Sequence, residues 1–276
     1  MSVDITCCSG PDAANFSSAS MRRILTATLA LATAVCSLSV AQAQGGPPMI
    51  TDDPGTPGSG NWEINIAASA LQGSAGSEGE SPLIDVNYGL GERVQLKYEV
   101  AWVTQRDSGG TTRSGLGDSL VGVKWRFYDT GASGWSVSAY PQAELRNPGS
   151  HAARRGLDDD GTGVLLPFQF ERTFTTVGVN FEAGRQLRSR GSSTWLGGVA
   201  LGHAVNETVD VMTELRGESS VPLRRYALAA NFGVRIAVSG VGMLLASIGR
   251  DLHNGIENRA SVFGYLGWQV TSSAER

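Results

Sequence analysis

From residue 61 to about residue 270, apolar and polar side chains alternate with a period of two. In 61–70 the apolar set is Trp62, Ile64, Ile66, Ala68 and Ala70, while Asn61, Glu63, Asn65 and Ser69 take the other positions. In 93–102 Val94, Leu96, Tyr98, Val100 and Trp102 stand against Arg93, Gln95, Lys97 and Glu99. Successive side chains of a strand point to opposite faces, so each run predicts a strand with one apolar and one polar side.

The pattern recurs to the end of the chain. Val121, Val123, Trp125 and Phe127 oppose Lys124 and Arg126; Trp135, Val137 and Ala139 oppose Ser136, Ser138 and Tyr140. Val164, Leu166, Phe168 and Phe170 oppose Gln169 and Glu171; Val177, Val179 and Phe181 oppose Asn180 and Glu182. Trp195, Val199 and Leu201 share a face of a Gly-rich run. Val209, Val211 and Leu215 oppose Asp210, Glu214 and Arg216, and Tyr226, Leu228, Phe232, Val234 and Ile236 oppose Asn231 and Arg235. With 83–90, 241–249 and 260–270 this predicts about twelve strands. Most approach the roughly 9–11 residues that a tilted membrane strand needs.

Alternation alone suits a soluble sandwich as well as a barrel. Three features favour the barrel. Connections alternate between long (72–81, 105–115, 147–162) and short (89–92, 129–134, 173–175, 206–207), as outer loops and periplasmic turns do. An even strand count returns both ends to one side. Trp62, Trp102, Trp125, Phe127, Trp135, Tyr226 and Trp268 fall towards strand ends on the apolar face, as an aromatic girdle would. The fold class expected is all-β: a transmembrane, antiparallel, up-and-down β-barrel.

Composition sharpens this picture. Charged residues are 17% of the chain and Gly numbers 36, which suits strands joined by turns rather than a charged soluble surface. A net charge of -4 gives no basic footprint for nucleic acid. The one long apolar run, 24–40, follows Met21-Arg22-Arg23 and precedes Ala41-Gln42-Ala43, the grammar of a cleaved secretory signal. Residues 1–20 read as lying upstream of the true start at Met21, 21–43 as the signal, and 44–60 as a periplasmic N-terminal extension. Residues 61–270 form the barrel and 271–276 a polar tail. All three cysteines, Cys7, Cys8 and Cys36, precede that barrel.

Several segments resemble the outer-membrane transporter-like family labelled "MetA-pathway of phenol degradation". They are Pro48-Met49-Ile50-Thr51-Asp52-Asp53-Pro54 with Gly60-Asn61-Trp62-Glu63, then Asp85-Val86-Asn87-Tyr88-Gly89-Leu90. Gly115-Leu116-Gly117-Asp118, Gly122-Val123-Lys124-Trp125-Arg126-Phe127 and Arg155-Gly156-Leu157 follow in order. The resemblance implies an outer-membrane barrel that passes aromatic or other hydrophobic compounds. The chain departs from the usual aromatic end of such barrels, because Gln269-Val270 and a polar tail follow Trp268.

If the apolar faces meet lipid, the polar faces line the lumen. The expected lining carries Glu63, Asp85, Glu99, Glu144, Glu171, Glu182, Asp210 and Glu214 against Arg93, Lys97, Lys124, Arg126, Arg146, Arg216 and Arg235. The signs nearly cancel, which suits a lumen crossed by ion pairs or a solvated wall with local pairs, and not a pore with one ring of charge. Thr51-Asp52-Asp53-Pro54 reads as a turn in preference to a small plug. For hydrolysis the only histidines are His151, His203 and His253, with Asp251 near the last; none sits in a catalytic motif and there is no G-x-S-x-G. Asp158-Asp159-Asp160 lacks the spacing of a calcium loop and reads as a surface patch beside Arg154-Arg155, and the Gly-x-Gly pairs lack a phosphate-loop setting.

These readings converge on a passive outer-membrane channel for small hydrophobic or aromatic compounds, without cofactor, metal or catalytic residues. The alternatives are a non-transporting structural barrel and, more distantly, an outer-membrane hydrolase. Expected partners are outer-membrane lipid and lipopolysaccharide, a small hydrophobic solute, and the barrel-assembly machinery during biogenesis.

Overall fold

A computed structural model describes residues 45–131, 134–148, 150, 152, 157, 162–174, 177–220, 223–238, 240, 242–256 and 261–272. The signal and start readings, His151, the Arg154 to Asp160 patch and the end of the polar tail lie outside the described residues.

The strands are β1 (Trp62–Gly73), β2 (Gly76–Gly89), β3 (Val94–Asp107), β4 (Thr112–Asp129), β5 (Trp135–Ala139), β6 (Gln142–Leu145) and β7 (Gly163–Thr173). They continue with β8 (Val177–Arg188), β9 (Thr194–Ala204), β10 (Val209–Ser220), β11 (Tyr226–Val238), β12 (Gly242–Asn254) and β13 (Ser261–Ser272). Every neighbouring pair is antiparallel. β1 pairs with both β2 and β13, as Trp62 opposite Tyr88 and Ser272 shows, so the sheet closes on itself. β5 and β6 share one position between β4 and β7. They are separated at Tyr140-Pro141, where proline has no N–H to give the ladder. The result is a closed, twelve-strand, antiparallel barrel.

Burial is inverted relative to a water-soluble protein. Asn65, Asp85, Gln95, Lys124, Gln169, Asn180, Glu214 and Arg235 are buried, whereas Ile66, Leu96, Trp125, Phe168, Phe181 and Leu201 are exposed. A polar interior with an apolar outer band is what a bilayer selects. The aromatic girdles follow. Trp62 lies tilted against Tyr88 with ring centroids 4.6 Å apart, and Trp125 against Phe127, at the end where β1 begins and β13 ends. Arg172 lies over Trp135 at that end, and Arg185 over Trp195 at the other, each placing its charge at an aromatic interface.

The connections differ from the expected alternation. Residues 76–81 belong to β2 and 112–115 to β4, so two of the three supposed long loops are hairpins, the first turning at residues 74–75. β4 reaches 18 residues. Backbone pairing continues past the apolar band because a ladder needs only N–H and C=O, not greasy side chains. The third of those expected loops falls between Leu145, the end of β6, and Gly163, the start of β7.

Candidate functional site: a plugged lumen

Inward positions gather most of the predicted lumen residues. Glu63, Asp85, Lys97, Lys124, Arg126, Glu171 and Arg235 share one polar cavity near the end where β1 begins and β13 ends. Lys97 Nζ lies 3.1 Å from Asp85 and 2.7 Å from Glu99. Further up the wall, Arg216 Nη1 donates to Glu182 Oε1 across the intervening strand β9. Asp210 and Glu144 are half-buried, on β10 and β6. Two residues are not in this group: Arg93 is exposed in the turn before β3, and Arg146 is exposed beyond β6. Both fall where the strand has ended, so period two no longer fixes a face.

The remaining wall charges are spent on the chain's own N-terminal segment. Sequence favoured a turn at Thr51 to Pro54; the structure instead threads residues 45–56 into the barrel. Glu214 Oε2 accepts the N–H groups of Ile50 and Thr51, each at 2.8 Å. Arg235 donates to the carbonyls of Gly45, Gly46 and Pro47. Lys124 pairs with Asp52 at 3.1 Å and donates to the Asp53 carbonyl at 2.6 Å. Ser247 Oγ donates to the Pro48 carbonyl at 3.0 Å. A segment with three prolines, Pro47, Pro48 and Pro54, cannot satisfy its backbone as helix or strand, so single wall charges do it instead. Each such charged hydrogen bond contributes about 1.5–3 kcal/mol.

Shape complements charge. A Cβ on Gly198 would sit 2.0 Å from Thr51 Oγ1, and one on Gly233 would sit 2.3 Å from Met49 Cε. The two glycines, on β9 and β11, are therefore the sockets of the plug. Thr51 and Met49 are correspondingly buried. Burial pushes the Asp53 carboxyl up to about 6, against the pull of Lys124. Burial would also raise Asp52, but Lys124 and Lys97 hold it below the usual carboxylate range.

The plug divides the lumen. On the side where β1 begins is a polar cavity of about 200 Å³, walled by the charged residues above with Asn87, Gln95 and Tyr140. Lys124 lies 4.7 Å from the centre of the Tyr140 ring, and Gln95 donates to its hydroxyl. On the other side is a cavity of about 460 Å³ floored by Pro48 and Met49 and walled by Ala227, Ala229, Phe263 and Tyr265.

The hydrolase pair does not assemble. The pairing of β11 with β12 is irregular between Leu228 and Ala229, which sets Leu252 out of register. Asp251 lines the apolar cavity and accepts from Asn254, whereas His253 is exposed and lies against Tyr226, ring centroids 4.3 Å apart. His203 is exposed on β9. Among the described residues no His, Cys, Asp and Glu cluster could hold a metal ion.

Sequence reasoning missed the plug's anchors on the wall as anchors. The signal that could have found them is the pair of inward glycines, Gly198 and Gly233.

No family model matches the chain, and no curated protein does. Solved outer-membrane barrels do. The COG4313 outer membrane channel from Pseudomonas putida F1 superposes with a TM-score of 0.60 at 13% identity, over 80% of this chain and 99% of that one. The KdgM porin gives 0.53 at 10% identity, over 76% and 99%. The NanC porin gives 0.53 at 11%, over 75% and 100%. At these identities the likeness establishes the fold: this chain is built as an outer-membrane, porin-like β-barrel.

Proposed function

We propose that the barrel is a passive outer-membrane channel for small hydrophobic or aromatic compounds, held closed by its own N-terminal segment. The observation that carries this reading is the apolar cavity of about 460 Å³ ending on Met49 of the plug. Its volume falls in the usual range for a pocket that takes a small organic molecule. The plug is bound by hydrogen bonds and ion pairs and by no covalent link among the described residues, so it can leave. Similar barrels are channels and porins, which supports passage over a purely structural role.

The test compares the refolded chain with a variant lacking residues 45–57, in planar bilayers and in swelling assays with a neutral monoaromatic solute. Folding is checked first by gel shift. The reading expects rare openings in the intact chain, and steady conductance with solute entry in the deletion. A deletion variant that is folded yet silent and impermeable would remove transport and leave a structural barrel.

A further inference from the structure

The larger cavity is apolar in its walls and acidic at its rim. Glu78 and Glu80 on β2, Glu218 on β10 and Asp251 on β12 all line it. Among the described residues none of the four lies in an ion pair. Glu80 accepts from Ser69 Oγ at 2.7 Å, Glu78 from Gln105 at 3.0 Å, and Asp251 from Asn254 at 3.0 Å. Among its described lining residues the one cation is Arg216, and its guanidinium is already bonded to Glu182. Among the described residues the wall therefore presents four carboxylates and no free positive partner.

A second observation lies deeper. Asn231 lines the same cavity and is only 4% exposed, yet its Oδ1 accepts no hydrogen bond. Its amide nitrogen faces Met49 Sδ at 3.9 Å, which directs the carboxamide towards the plug's apolar tip. A buried acceptor without a donor costs stability unless something else supplies one. Acceptors therefore run from the rim to the floor, with Phe263 and Tyr265 between them. Aromatic faces attract cations, and apolar walls hold a hydrocarbon body.

From this arrangement we infer that the cavity is a binding site for small organic ammonium compounds that carry an apolar or single-ring body. The ammonium meets the rim carboxylates, and its N–H or polarised C–H groups reach towards Asn231. The body packs on Met49, Ala227, Ala229 and Phe263. A bare divalent cation would satisfy the carboxylates but would leave the apolar wall unused. An anionic aromatic would be repelled by the rim. This inference rests on the channel reading and narrows its substrate class.

The experiment measures binding of benzyltrimethylammonium to the refolded full chain by isothermal titration. Its uncharged tert-butyl analogue, phenylacetate and calcium serve as comparisons. The ammonium is expected to bind at least about tenfold tighter than the neutral analogue, the worth of one charge-assisted contact. Replacing Glu218→Gln and Asp251→Asn together is expected to erase that preference while leaving the neutral analogue unchanged. Should the double variant fail the gel-shift check, Glu80→Gln alone should lower the preference. Equal binding of the charged and neutral compounds would overturn the inference, as would a preference that survives the carboxylate replacements, or calcium binding that displaces the ammonium from a site indifferent to its ring. If neutral aromatics still permeate the plug deletion, the channel reading stands and only the ammonium site is lost. If nothing permeates, the channel reading itself has failed.

Discussion

Glu214, on the wall at β10, accepts the Thr51 and Ile50 amide hydrogens through a single carboxylate oxygen, each at 2.8 Å. The residues are more than 160 positions apart in sequence, so this contact exists only once the barrel has closed. It is also the contact whose loss is easiest to read. Glu214→Ala should weaken plug docking by about 2–4 kcal/mol, because the buried Thr51 N–H and the part-buried Ile50 N–H lose a charged acceptor. In planar bilayers the open fraction should rise at least about tenfold, and limited proteolysis should cut the N-terminal segment sooner. Unchanged gating and proteolysis would mean that the plug is held without Glu214.

Gly198 supplies a steric test of the same docking. Any side chain there meets Thr51, whose Cβ would lie 3.1 Å from the new one. Gly198→Val should therefore expel the plug and open the channel while leaving the ladder of β9 intact. The pair Thr51→Cys with Gly198→Cys should do the reverse. Its Cβ separation is slightly below the usual disulfide range of about 3.5–4.5 Å, a gap that a small shift of the plug closes. The chain holds no cysteine after Cys36, so no other thiol of the described residues competes. Oxidation should close the channel, and reductant should restore wild-type openings. Openings that persist in a demonstrably cross-linked barrel would place the conducting path elsewhere.

The strands were legible because one physical rule, alternation, is repeated at every position where lipid meets one face. Lys97, Lys124 and Arg235 could thus be placed on the inner wall from sequence. Their partners could not. Lys97 finds Asp85 on a neighbouring strand, a register that alternation permits but does not specify. Lys124 and Arg235 find a segment, residues 45–53, that has no period at all. Proline and glycine forbid regular structure there, and nothing local says that single charges across the lumen replace it. The polar upper parts of β2 and β4 do not read as strands from sequence, for a related reason. Glu78, Glu80, Arg113 and Ser114 stand beyond the apolar band, where neither face needs to be greasy and the sequence signal fades.

Facing is itself testable. Val199 lies midway along β9, points outwards, and pairs with Phe181 and Leu215, also outward. Val199→Arg should cost about 2–4 kcal/mol of stability if that point lies near the bilayer midplane. The measure is the urea midpoint for unfolding from lipid vesicles. A shift near zero would place Val199 in water or at the interface and would contradict the outward apolar band.

Acidity should tighten the plug through Asp53. Burial holds its carboxyl at about 6 in the docked plug, with Lys124 and Arg235 pulling it down and Asp52 pushing it up, whereas a plug released into water would return it to the ordinary 3.8. The docked state therefore binds the proton more strongly. Its advantage is fully present below the released value and is lost as pH rises through about 6. Two units bound this contribution at about 3 kcal/mol. Asp52 acts in the opposite sense, because Lys124 and Lys97 hold it low despite its burial. Its share of docking is present above the ordinary carboxylate range and lost only as pH falls through its depressed value. Docking should consequently be tightest between about pH 4 and 6, where Asp53 is protonated and Asp52 still ionised. Open probability should fall when the pH is lowered from 7.5 to 5. Asp53→Asn should be more closed than wild type at pH 7.5 and should lose most of that pH step, which separates Asp53 from the carboxylates of the wall. A wild type that opens on acidification, or an Asp53→Asn chain that keeps the full step, would assign the pH response to another group.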